Sequence, residues 1–78
     1  MSGLLINWKK QINNIAEGVA GPYKFYIKLV KPDCVNSLYI INGNKKSKHS
    51  AELTEDKSLD YWKLKADDIL ENDIKWKG

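Results

Sequence analysis

Strict alternation from Tyr23 to Val30 constrains this chain more than any other feature. Tyr23, Phe25, Ile27 and Leu29 fall on one side; Lys24, Tyr26, Lys28 and Val30 fall on the other. A period of two is the pattern of a strand with one buried face. Pro32-Asp33 turns the chain, and residues 35–41, rich in Val, Tyr and Ile, form a second strand. Asn42-Gly43-Asn44 follows, and these residue types tolerate the positive φ of a tight hairpin. Residues 46–53 make a weaker third strand. They are polar enough for a sheet edge, where lysines discourage unwanted pairing.

The flanks read as helical. Trp8, Ile12, Ile15 and Val19 recur at gaps of four, three and four, one face of an amphipathic helix. The spacing predicts a helix over 3–17, capped by Ser2 and ended by Gly18 or Gly21. Asn13 and Asn14 are weak helix formers, so packing must hold it. Gly21-Pro22 breaks the chain before the first strand. Residues 54–58 read as a polar loop. Leu59 to Lys63 suggests a short strand, Asp67 to Glu71 one helical turn, and Ile74-Lys75-Trp76-Lys77 a terminal strand. The alternative is one helix from Leu59 to Leu70, because Leu59, Trp62, Ala66, Ile69 and Leu70 also fit helical spacing; periodicity does not decide between them. The expected fold class is α+β: an N-terminal helix, a small antiparallel β-sheet, a short C-terminal helix and a final strand, in one domain over 1–78.

At 78 residues the core is marginal, and small domains gain support from disulfides, metals or oligomers. Cys34 is the single cysteine and His49 the single histidine, which leaves too few ligands for a structural zinc site and no disulfide within the chain. Self-association as a homo-oligomer is the expected support. No stretch approaches the roughly 18 apolar residues of a membrane span, so no membrane partner is expected. Leu4-Leu5-Ile6 lacks a preceding basic residue, unlike a signal peptide. A cytoplasmic location follows, and the lone cysteine fits a reducing compartment. Net charge is +3, unevenly spread. Residues 1–50 hold eight lysines against Glu17 and Asp33; residues 51–78 hold five against eight acids. Every basic residue is Lys. Arg is the usual reader of base edges, so no specific DNA partner is expected.

Each chemically suggestive side chain has a structural reading beside the functional one. Trp62 offers a stacking face or a core anchor beside Ile69 and Leu70; Trp76, between Lys75 and Lys77, offers the same choice. Tyr26 is the first strand's aromatic on its polar side. Lys45, Lys46 and Lys48 follow a glycine turn and suit phosphate oxygens, or simply a solvated hairpin tip, with no Gly-rich phosphate loop before a helix. Asp68 and Asp73 suit acid–base work less well than capping and turn-forming. His49 has no visible nucleophile to serve. The chain reads as a binder without catalytic residues, metal or cofactor.

The run Trp62…Asp68-Ile69-Leu70…Asp73 resembles the closing motif of the Thoeris anti-defence type two family, a phage domain formerly of unknown function. Ile74 stands where that family usually has Trp. The segment closing on Glu17-Gly18 is similar to the family's opening segment, although Gly21-Pro22-Tyr23 replaces its Gly-Trp-rich turn and the chain has no Arg. The resemblance implies a small α+β homo-oligomer with pockets between subunits. It implies a phage-type anti-defence protein that sequesters a cyclic nucleotide-derived immune signal without cleaving it. Tyr26, Trp62 or Trp76 would then stack on a base, and Lys45, Lys46 and Lys48 would neutralise phosphates. The alternative is a small phage inhibitor that binds a host or defence protein directly, through the acidic C-terminal half or the basic hairpin. A third reading is a weak nucleic-acid binder using Lys24, Lys28 and the lysines of 45–48.

Overall fold

In the computed structural model, which describes residues 6–9 and 11–76, five antiparallel strands follow one another in chain order. They are β1 (Asn7–Trp8), β2 (Ile15–Ala20), β3 (Tyr23–Lys31), β4 (Cys34–Asn42) and β5 (Lys45–Ser50). A single helical layer follows: α1 (Leu59–Asp68) runs directly into a π-helix (Ile69–Ile74).

Local chemistry explains the meander. Each of its four turns holds one residue in the left-handed region: Asn13 (φ 56°), Gly21 (φ 57°), Asp33 (φ 60°) and Gly43 (φ 61°). Gly, Asn and Asp are the residue types that enter this region most cheaply. Between the turns, alternation sends apolar side chains to one face. Phe25 lies opposite Ile40, Ile27 opposite Leu38 and Leu29 opposite Val35, and all six are buried. An irregularity in pairing between Lys28 and Lys31 keeps Val35 on the covered side. β2 contributes only Ala16, Gly18 and Ala20 to this face. That smallness makes room for Trp8, which lies opposite Gly18. A Cβ on Gly18 would stand 2.7 Å from both Ile6 Cγ2 and Trp8 Cε3.

The helical layer closes this face. Ser58 caps α1, its hydroxyl accepting from the Tyr61 N–H at 3.3 Å. Trp62, Ala66, Ile69 and Leu70 then point into the core. Trp62 is fully buried and its indole N–H donates to the Asp56 carbonyl at 3.1 Å. Burying an indole of this size contributes about 4–6 kcal/mol of transfer free energy. Lys75, at φ 62°, ends the π-helix in a left-handed cap. The 51–58 loop and the start of α1 are tied to the sheet: Val35 N–H donates to Lys57 O at 2.7 Å, and Leu59 N–H to the Asp33 carboxylate at 2.8 Å.

The structure overturns the expected fold class at both ends. Residues 6–9 and 11–17 form no helix; Ile12 and Ile15 bridge across a two-residue turn at Asn13-Asn14, and β1 and β2 form a hairpin. Residues 3–5 and 10 of the expected helix lie outside the described residues. The predicted apolar face does not form a core face: Ile12 is 68% and Ile15 46% exposed. Two asparagines that weaken a helix suit a turn, and Ala16, Gly18 and Ala20 match the alternation of the strand beside them. Tertiary pairing outweighs the weak helical signal. At the other end, Leu59 to Lys63 is helix and not strand, as in the single-helix alternative, and it extends beyond Leu70. Ile74, Lys75 and Trp76 form no final strand; Lys77 lies outside the described residues. The molecule is therefore mostly β with one C-terminal helical layer. Among the described residues, no helix is long and apolar enough to cross a membrane.

Candidate functional site

Among the described residues, all helical structure lies on one face of the sheet and the opposite face is open. Its side chains stand in rows set by the register. The middle row runs Glu17, Tyr26, Tyr39, Lys48 across β2 to β5. One row on are Lys24, Ile41 and Lys46; on the other side are Lys28 and Ser37. Tyr26 and Tyr39 are directly opposed, half-buried side-chain neighbours on adjacent strands, a separation of about 5 Å between Cβ atoms. Lys24, Lys28, Lys46 and Lys48 are all exposed. Glu17 is the only carboxylate carried by the five strands.

The lysines of β5 lean over the aromatic centre. Lys46 Nζ stands 5.2 Å and Lys48 Nζ 5.7 Å from the centroid of the Tyr39 ring, within cation–π range. The Tyr39 hydroxyl is held below the ordinary tyrosine range by the neighbouring Ser37 hydroxyl first, then by the cations of Lys48 and Lys28, while burial works against them. Ser37 Oγ is itself buried and completes no hydrogen bond among the described residues, so it acts on the Tyr39 hydroxyl as a nearby dipole. Beside Tyr26, a recess of about 260 Å³ opens between Ile12, Asn13, Ile15, Glu17 and the tyrosine ring. Two tyrosines opposed across β3 and β4, with exposed lysines around them, can stack planar π systems and neutralise anionic oxygens.

Of the six residues expected to bind ligand, three meet here. Tyr26, Lys46 and Lys48 share the open face. Lys45 points to the other side of β5, where it lines a cleft of about 210 Å³ with Tyr23, Ile40 and Ile74. Trp62 is a core residue with no exposed surface. Trp76 packs edge-on against Tyr23, with ring centroids 6.2 Å apart, and over Gly21. Asp68 lies at the end of α1 rather than at a start, accepting from Asn72 Nδ2 at 2.5 Å. His49 sits half-buried opposite Leu38 on the covered face.

Sequence reasoning missed Tyr39. A two-residue turn at Pro32-Asp33 already places Tyr39 opposite Tyr26, so the pairing was within reach of register arithmetic. The charge split along the chain also becomes spatial. The helical layer carries Asp60, Asp67, Asp68, Glu71 and Asp73 against Lys63 and Lys65, while the open face carries four lysines against Glu17. No protein-family model matches the chain, nor does any curated protein or solved structure.

Proposed function

We propose that this protein is a stoichiometric binder of base-and-phosphate ligands that works without catalysis. The observation that carries this reading is the Tyr26–Tyr39 pair, set among Lys24, Lys28, Lys46 and Lys48 on the face that the helix leaves open. Base stacking on tyrosine contributes sequence-tolerant affinity, and ammonium groups neutralise phosphate. In the setting that the resemblance to the Thoeris anti-defence type two family implies, the captured molecule is a cyclic nucleotide-derived immune signal and the protein a phage-type anti-defence factor. Isothermal titration calorimetry with a panel of cyclic nucleotides, mononucleotides and a short single-stranded oligonucleotide tests the reading. Saturable heat that disappears on Tyr39→Ala supports it; no heat with any member rejects it.

A second reading has its own support. Leu53 is 92% and Leu64 62% exposed on the acidic side of the molecule, a pairing that suits contact with a basic host or defence protein. Leu64→Glu should then abolish capture of that protein and leave nucleotide binding unchanged.

A further inference from the structure

We infer that the open face is built for single-stranded nucleic acid rather than for an isolated nucleotide. This rests on the reading of the face as a base-and-phosphate binder and narrows its ligand. The first observation is the spread of the cations. Lys24 and Lys28 lie four residues apart on β3, about 13 Å along the strand. Lys46 and Lys48 lie on β5, two strand spacings or about 10 Å to the side. One phosphate group reaches only part of this array, whereas the successive phosphates of a strand meet the lysines in turn. The second observation is the pair of platforms. Tyr26 and Tyr39 offer two adjacent rings, which suits two successive bases splayed onto a sheet. The third is shape. Small-molecule sites enclose most of their ligand. Here the recess beside Tyr26 is walled by the β1–β2 turn, and among the described residues no segment rises over Tyr39 from the side of β5, which is the sheet edge. Such a face is open along its β5 edge, where a strand can run past Tyr39 instead of being enclosed. With lysine as its only cation type, the face binds phosphate as point charge without bidentate base readout, so binding tolerates sequence.

The test uses the full chain and a fluorescein-labelled oligothymidine of about ten nucleotides, within the span of known single-strand sites, read by anisotropy across a salt series. The expected result is saturable binding whose logarithm falls linearly with log salt, by about 0.7 per phosphate contact. Tyr26→Ala and Tyr39→Ala should each weaken binding about tenfold. Lys46→Ala with Lys48→Ala, a change confined to exposed side chains, should lower the salt slope by about 1.4. Lys63→Ala, on the helical layer, should change nothing. A duplex of the same length that binds as tightly as the single strand would overturn the inference, because stacked bases cannot reach the tyrosines. Calorimetric binding of a cyclic nucleotide with no response to the oligonucleotide would also overturn it, yet leave the capture reading standing. Failure of both ligands would remove both.

Discussion

The two faces of this sheet come from the same strands and the same two-residue alternation, yet they are governed by different physics. On the covered face, Phe25, Ile27, Leu38 and Trp62 have no exposed surface, and each is placed by contact with several others. On the open face, Tyr26 and Tyr39 stay partly exposed, and lysines flank them along β3 and β5. Moving one residue along a strand crosses from one regime to the other. The covered face determines whether the chain folds. The open face adds little to stability, so its residues are free to serve a ligand, and like charges can crowd there at modest cost because water screens them.

Substitution breaks the comparison most directly. Trp62→Ala should cost about 3–5 kcal/mol, enough to leave a domain of this size largely unfolded at 25 °C, whereas Tyr26→Ala, which removes a partly buried ring from a cross-strand pair, should cost about 1–2 kcal/mol. Urea denaturation followed by far-UV circular dichroism measures both; equal midpoints for the two variants would mean that the covered face is not what holds the fold.

Glycines sharpen the contrast between contact and conformation. Gly18→Val drives methyl groups into the Ile6 and Trp8 side chains and should cost about 1–3 kcal/mol through overpacking. Gly43→Ala meets no atom within 4 Å but sits at φ +61°, so its penalty of about 1 kcal/mol is purely conformational. Thermal melts should rank Gly18→Val below Gly43→Ala. Replacing Gly43 by Asn, which tolerates the left-handed region, should recover most of the loss, while Asn at position 18 should not.

The acidic layer answers to pH. Glu55 accepts from Lys65, from the Glu52 N–H at 3.1 Å and from the Tyr61 hydroxyl at 3.1 Å. These partners, Lys65 first, hold its carboxyl below the usual value of 4.5. A depressed acid contributes stability above its unfolded-state pKa and loses it as pH falls through the folded one. The advantage of the native chain over Glu55→Gln should therefore be constant near neutrality and shrink below pH 4.5, as read by chemical denaturation at a series of pH values. An advantage that grows on acidification would contradict the assigned contacts.

The smallest effect separates two tyrosines. Tyr39, among lysines, ionises more readily than an ordinary tyrosine; Tyr61 does so less readily, chiefly because its hydroxyl donates to the Glu55 carboxylate. Ultraviolet titration of Tyr39→Phe should lose the earliest-titrating component, and that of Tyr61→Phe a late one. Lys48→Ala should move the Tyr39 component toward higher pH and leave Tyr61 in place.

Much of the middle of the molecule was legible from local pattern. The alternation of residues 23–31 matches β3 residue for residue, and Asn42-Gly43-Asn44 forms the expected hairpin turn. The polar third strand lies at the sheet edge, as its lysines indicate. Of the candidate site, Tyr26, Lys46 and Lys48 were visible, because side of strand follows from parity. Trp62 was ambiguous for a physical reason: a large aromatic serves a core and a stacking site equally well, and only its depth tells them apart. Tyr39 was missed because its importance lies in what it faces across the sheet, which only counting register back from the Pro32-Asp33 turn brings out.

What the amino-acid order settled by itself is the set of interactions that close over a few residues: the alternating strands β3 and β4 and the turns at Pro32-Asp33 and Asn42-Gly43-Asn44. What tertiary structure decided is the fate of the N-terminal segment and the helix-free face. Trp8, Ile12, Ile15 and Val19 satisfy a helical period, but Ala16, Gly18 and Ala20 pair against Ile27, Phe25 and Tyr23 and leave room for the Trp8 ring. The gain from that pairing and packing comes from partners distant in the chain, so a local period could not anticipate it.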